Sequence, residues 1–194
     1  MMFPLFETLC IEHYQVKNSA YHQYRYERAL RQFYGESAVK IHDLSAIIEK
    51  TTEFSTALLA PLTRCRVDYN ACEVQVQFFP YQRRQIRTFQ PVICDHIDYS
   101  LKFSDRTLLN QLLAQRGDCD EIMLIKQGKV TDCSIGNLIF RQGEQWFTPD
   151  SPLLAGTQRE CLLAAGRIKE RTIFAEDVPL FDEIRLINAM NGLD

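Results

Sequence analysis

The chain has 194 residues, of which 46% are apolar and 24% charged, with a formal net charge of −3 and a pI near 5.8. That is an ordinary globular composition with material for one or two packed cores, and its acidic balance argues against nonspecific attraction to nucleic acid or to an anionic membrane. No stretch approaches the roughly 18 apolar residues of a membrane span, and MMFPLFETL has no basic leader with a cleavage site, so a cytoplasmic protein is expected.

Residues 5–11, LFETLCI, read as a strand, with Tyr14–Val16 as a short hairpin mate. Asn18 then stands as an N-cap before SAYHQYRYERALRQFY, whose apolar positions Tyr26, Leu30, Phe33 and Tyr34 recur at helical spacing until Gly35 stops the run. His22 and Arg25 share a face of that helix, and taken as bare sequence they fit a solvated rim. A weaker helix is expected from Asp43 to about Thr51, while 55–61 is ambiguous. The pattern changes to β-rich at 64–69, 73–81 and 86–94, which predicts an antiparallel sheet with an early helix over residues 1–90. Pro91 and the polar Asp95-His96-Ile97-Asp98 mark the expected boundary, giving domains 1–90 and 91–194.

Beyond it, a helix at about 104–116 precedes EIMLI and KVTDCSIGNLIF, two apolar runs flanking a Gln127-Gly128 hairpin turn. A two-proline loop leads through Gly156 into a helix at about 157–165, and strands near 171–174 and 183–189 follow. A helix that starts on Gly156-Thr157 presents backbone N–H groups and a positive dipole end, which suits a phosphate but is a common arrangement.

Seven cysteines, at 10, 65, 72, 94, 119, 133 and 161, include no C-x-x-C, and the four histidines are scattered. Neither a disulfide framework nor a metal site is indicated, and the thiols read as buried. Arg64, Arg66, Arg83, Arg84 and Arg87 crowd one segment. They fit either a solvated sheet face or a basic patch for an anionic substrate.

Two residues organise the rest. Lys102 lies at a junction before an amphipathic helix, and Asp132 lies in an apolar strand region. A buried carboxylate needs a partner; Lys102 is one candidate and a bound cationic ligand is another.

The order F-E-T near the N-terminus, H22-x-x-R25, K102-x-S-D-R106, V-T-D132-x-S134-x-x-N137 and L-x-G156-x-x-R159 resembles the class IV aminotransferases, the fold-type IV pyridoxal-phosphate enzymes. The resemblance spans nearly the whole chain and implies an α/β (mixed α+β), two-domain fold like that of D-amino-acid aminotransferase. Pyridoxal 5′-phosphate is the cofactor it implies. Lys102 matches the lysine that forms a Schiff base with it and serves as catalytic base, and Asp132 stands where the family has the glutamate that pairs with the ring nitrogen. Arg25 matches the phosphate-binding arginine, Gly156, Thr157 and Gln158 match the phosphate cup, and Ser134, Ile135, Gly136 and Asn137 match the segment lining the cofactor. The S-D-R after Lys102 is similar to the L-N-R of the aminodeoxychorismate-lyase branch. Implied activities are pyruvate elimination from aminodeoxychorismate to give 4-aminobenzoate, amino-acid transamination, or cofactor binding without turnover. The implied partners are a small amino-acid-type substrate and a second copy of the chain in a homodimer, with Phe78, Phe79 and Tyr81 fitting either that interface or the core.

Overall fold

The computed structural model of the protein describes residues 2–193. Its contacts group into two compact units, Met1–Arg83 with Leu101–Asp105, and Arg84–Ser100 with Arg106–Asp194. The expected division at 90/91 differs from this in two ways: the first unit ends at Arg83, and Lys102 belongs to it. The reason is in the backbone bonds. Phe6 N–H donates to the Lys102 carbonyl (3.1 Å) and Ser104 N–H to the Pro4 carbonyl (2.8 Å), so 101–105 lies along the start of the first strand.

The first unit has an antiparallel sheet of β1 (Leu5–Glu12), β2 (Gln15–Val16), β3 (Leu62–Tyr69) and β4 (Val74–Pro80), in the order β2-β1-β3-β4. Helices α1 (Ser19–Tyr34), α2 (Leu44–Lys50) and α3 (Phe54–Leu59) belong to the same unit. Side chains alternate across a strand. Leu5, Leu9 and Ile11 of β1 and Cys65, Val67 and Tyr69 of β3 therefore share one face, packed against Tyr26, Leu30, Leu44 and Ile48. Phe6, Thr8 and Cys10 share the other face with their register partners Asp68, Arg66 and Arg64. Gly35 ends α1 with φ of 88°, which a residue with a Cβ would adopt only under strain, and its N–H closes on the Arg31 carbonyl. Asp43 caps α2 by accepting from Ala46 N–H at 3.0 Å. Asn18 sits at the N-cap of α1 in a left-handed conformation without a side-chain capping bond.

The second unit holds β5 (Phe89–Ile93) parallel to β6 (Glu121–Lys126), with β7 (Lys129–Val130) antiparallel beside it. Gln127 and Gly128 both have positive φ (52° and 77°), as the two central residues of a tight hairpin turn require. A further sheet runs β10-β9-β8-β11, from β8 (Asn137–Gln142), β9 (Gln145–Pro149), β10 (Lys169–Arg171) and β11 (Glu183–Ile187). Helices α4 (Thr107–Leu113) and α5 (Thr157–Ala164) complete it. The stretch 86–94 thus forms a strand as expected, but not in the first sheet. Asp120 accepts from Arg87 N–H, Thr88 N–H and Thr88 Oγ1, at 2.9 to 3.0 Å, which pins the start of β5 beside the start of β6.

The mixed α/β class is as expected. The seven cysteines are unbridged, but Cys72 is exposed and Cys119 and Cys161 are half-buried, so only four are the buried thiols expected. Phe78 packs against the core of the first unit. Among the described residues no group of histidine, cysteine and acidic side chains could hold a metal.

Candidate cofactor site

In the first unit the alternation of β1 puts Glu7 in the buried phase, between Leu5 and Leu9, where it is fully shielded from solvent. Such an acid needs cations or donors, and α1 supplies both. Arg25 Nε donates to Glu7 Oε1 (2.8 Å) and Arg25 Nη2 to Oε2 (2.5 Å), a bidentate pair, while His22 Nδ1 lies 2.7 Å from Oε2. Burial alone would push the Glu7 carboxyl up. The Arg25 guanidinium and His22 outweigh it and hold the group down at about 2. His22 moves the other way: burial is the largest influence and keeps it below its ordinary value despite the adjacent carboxylate. With Glu7 ionised and able only to accept, neutral His22 must carry its proton on Nδ1. The pair expected on a solvated rim is therefore at the core, because Glu7 pulls that helix face inward.

Lys102 is half-buried, with Nζ 4.9 Å from the Phe6 ring centroid. Its charge reaches His22, where it is one of the influences lowering that group. The same Phe6 ring lies 4.0 Å from the Arg66 guanidinium carbon. The reactive lysine candidate thus stands beside the sheet face that carries Phe6, next to a cation and an aromatic surface.

In the second unit Asp132 forms an isolated bridge with Asn137, so the chain between them is a tight loop and not continuous strand. Both carboxylate oxygens accept from neutral donors: Asn137 Nδ2 gives Oδ1 a bond of 2.8 Å, and Leu154 N–H gives Oδ2 one of 3.0 Å. Burial pushes Asp132 up to about 6, against the smaller downward pulls of these bonds and of Arg159. Asn137 Nδ2 also donates to the Leu154 carbonyl at 2.9 Å. One carboxamide therefore ties the acid to the loop that enters α5.

That loop ends at Gly156, where a Cβ would stand 2.0 Å from Asn137 Oδ1, so only glycine fits. Thr157, the first helical residue, is buried, and Gln158 is half-buried. Gly136 is equally constrained, with a Cβ falling 2.5 Å from the Ile187 carbonyl oxygen. Ser134 is committed to structure: its hydroxyl donates to Glu121 Oε2 (2.9 Å) and its carbonyl accepts from Arg106 Nη2 (2.7 Å). The Ile135 carbonyl accepts from Asn188 Nδ2 at 3.1 Å.

Each unit therefore gathers its share of the sequence-derived residues: Arg25 and Lys102 in the first, Asp132, Ser134 to Asn137 and Gly156 to Gln158 in the second. Sequence reasoning assigned no role to Glu7 or to Arg159, which is buried and donates to Glu170 Oε1 (2.6 Å) and the Pro149 carbonyl (3.0 Å). An acid in the apolar phase of LFETLCI was the available signal for Glu7. Of the five arginines read as one patch, Arg84 and Arg87 belong to the second unit.

Within the second unit the donors suit a pyridine ring bearing a phosphate. A buried acid with spare lone pairs can still take a ring N–H, since each carboxylate oxygen accepts twice. The α5 start, stripped of a Cβ at Gly156, presents a helix N-terminus suited to a phosphate. In the first unit, considered by itself, Arg25 is a guanidinium held by Glu7.

Comparison with known proteins gives the family. Residues 100–193 match the family described as amino-transferase class IV. A Haemophilus influenzae protein, described only as uncharacterized, is 65% identical over 192 residues, covering 99% of this chain and all of that one. A Haemophilus somnus crystal structure described as a putative 4-amino-4-deoxychorismate lyase superposes with a TM-score of 0.94 at 60% identity, over 100% of this chain and 99% of that one. A Mycobacterium tuberculosis structure, described as a hypothetical aminotransferase with alpha-ketoglutarate and PMP bound, has a TM-score of 0.80 at 18% identity, over 97% of this chain and 78% of that one, a likeness of fold alone. By sequence and by fold, the chain belongs to the class IV aminotransferase family.

Proposed function

We propose that the protein is a pyridoxal-phosphate-dependent lyase that eliminates pyruvate from 4-amino-4-deoxychorismate to give 4-aminobenzoate. The observation that carries the reading is the arrangement of residues in each unit. Lys102 stands beside Phe6 near the Glu7–His22–Arg25 cluster, and Asp132 is bonded through Asn137 to the loop entering α5. The choice of the lyase over a transaminase rests on the S-D-R after Lys102 and on the 60% identical structure.

When bound, the cofactor supplies an electron sink for the bond broken at the amine-bearing carbon. The chain supplies position and protons. Arg25, oriented by Glu7, would bind the phosphate, as would the backbone at Gly156, Thr157 and Gln158. Asp132 would accept from the ring nitrogen, and Ser134, Ile135, Gly136 and Asn137 form the segment that fixes its loop. Lys102 Nζ removes the proton from the amine-bearing ring carbon of the substrate. The C–O bond to the enolpyruvyl group then breaks, the ring becomes aromatic, and the enolpyruvyl group takes up a proton and leaves as pyruvate, so no oxidant or second substrate is needed. The setting proposed is a cytoplasmic homodimer, which the likeness to the class IV aminotransferases implies.

The test is a pair of assays on the same preparation. Release of 4-aminobenzoate and pyruvate from aminodeoxychorismate, with no rapid conversion of the cofactor to its amine form by single amino acids, is the expected result. Rapid conversion by amino acids without 4-aminobenzoate release would instead make the protein a transaminase, the second reading, which the family name favours. If cofactor binds and neither reaction occurs, the third reading, binding without turnover, is correct.

A further inference from the structure

The face of the first sheet that carries Phe6 has two arginines on β3, Arg64 and Arg66, and Arg83 reaches Glu12 from beyond β4; the three are not equivalent. Arg66 is neutralised: its Nε and Nη2 donate to both oxygens of Asp68, at 2.7 and 2.6 Å. Arg83 is paired with Glu12 at 2.7 Å. Arg64 differs. Its Nε is buried and has no hydrogen-bond partner, and its guanidinium carbon lies 4.7 Å from the Phe79 ring centroid, on the adjacent strand.

A buried guanidinium N–H left without an acceptor costs about 1–3 kcal/mol, more when the group is charged, so such a group normally has a partner that the folded chain alone does not provide. A carboxylate is the natural one, because the guanidinium fork matches its two oxygens. The position also fits the proposed chemistry. Arg66 touches the same Phe6 ring as Lys102, and Arg64 lies two residues along the strand on the same face, about 7 Å further on.

We propose that Arg64 is a specificity-determining residue which binds a substrate carboxylate remote from the reacting amine, with Phe79 and Phe6 flanking the ring that separates them. The inference rests on the proposed function, in that Lys102 marks the reacting end. It narrows the substrate class to cyclic amino acids whose carboxylate lies across the ring from the amine. The bidentate Arg66–Asp68 pair orients Arg66 away from this role, so one cation does the reading.

The test uses holoenzyme in which borohydride labelling has first been checked at Lys102, so that failure of the proposed function appears before this experiment begins. Binding of 4-aminobenzoate and of its uncharged analogue 4-aminobenzamide is measured by calorimetry to the unmodified protein, to Arg64→Gln and to Arg64→Lys, with melting temperatures recorded for all three. The unmodified protein is expected to favour the acid over the amide by roughly 10- to 100-fold, the range of a charge-assisted bidentate contact. Arg64→Gln should bring the ratio close to one while leaving amide binding unchanged, and Arg64→Lys should restore part of it. A ratio preserved in Arg64→Gln, or no preference in the unmodified protein, overturns the assignment. If Arg64→Gln does not fold, the Arg64→Lys ratio decides: an undiminished preference with a point charge in place of the fork also overturns it.

Discussion

Asn137 Nδ2 donates to Asp132 Oδ1 across 2.8 Å and to the Leu154 carbonyl across 2.9 Å, so one carboxamide joins the proposed ring acid to the loop that begins α5. The Leu154 N–H closes the circuit on Asp132 Oδ2. The residues proposed for the two ends of the cofactor, ring nitrogen and phosphate, are thereby joined in a single hydrogen-bonded element.

Gly156→Ala tests that element. The added Cβ would fall 2.0 Å from Asn137 Oδ1, which forces the carboxamide to move and breaks its bonds to Asp132 and Leu154. The expected loss is about 1–3 kcal/mol of stability with a weaker affinity for pyridoxal phosphate, read by chemical denaturation and by cofactor titration. An unchanged midpoint and an unchanged affinity would show that the carboxamide is not the joint.

Asp132 in the cofactor-free protein should titrate near 6, because burial outweighs its two neutral donors and the pull of Arg159. Since the folded value is raised, the folded state binds the proton more tightly than the unfolded chain. This contribution to stability is complete below the ordinary carboxylate value near 3.9 and is lost as pH rises through about 6. Carbon-detected NMR of the Asp132 carboxyl checks it. Addition of cofactor should move the titration downward, and a value near 4 in the free protein would refute the burial argument.

Glu7→Gln should destabilise the protein strongly, by about 3–5 kcal/mol, because it leaves Arg25 charged and buried without its counterion. The pH dependence has the opposite sign to that of Asp132. Glu7 is depressed to about 2, so its contribution is present above the ordinary carboxylate range and is lost as pH falls from there through about 2. Urea titrations at pH 7 and pH 3 measure both. A variant as stable as the parent at pH 7 would mean that α1 is not held by this triad.

Much of this was legible in the sequence, and the exceptions have physical causes. Elements with strong local signals were found: α1 between Asn18 and Gly35, α2 behind the Asp43 cap, and the Gln127-Gly128 turn. Strand partners were not, because period-2 patterning marks a strand without naming its neighbour. Hence 86–94 was placed in the first sheet, although Asp120, some 30 residues on, pins it to β6. His22 and Arg25 were read as surface by residue type, and their burial depends on Glu7 at a separation of 15 to 18 residues. A buried acid suggests a cation as the partner of Asp132, but the chain provides the amides of Asn137 and Leu154.

Arg25→Ala should release the cofactor during dialysis faster than Lys102→Ala does. The guanidinium is proposed to hold the phosphate throughout, whereas losing the lysine removes the covalent link but leaves the Gly156–Gln158 backbone, Asp132 and Arg25 in place. Absorbance of the retained cofactor gives the comparison. Equal retention would count against Arg25 as the phosphate anchor.

Borohydride reduction of the protein purified with pyridoxal phosphate, followed by peptide mapping, bears most directly on the central assignment. The account predicts one reduced pyridoxyl adduct, on Lys102, in the peptide containing Tyr99 to Asp105. A map with Lys102 unmodified, or with the label on another lysine, would contradict it.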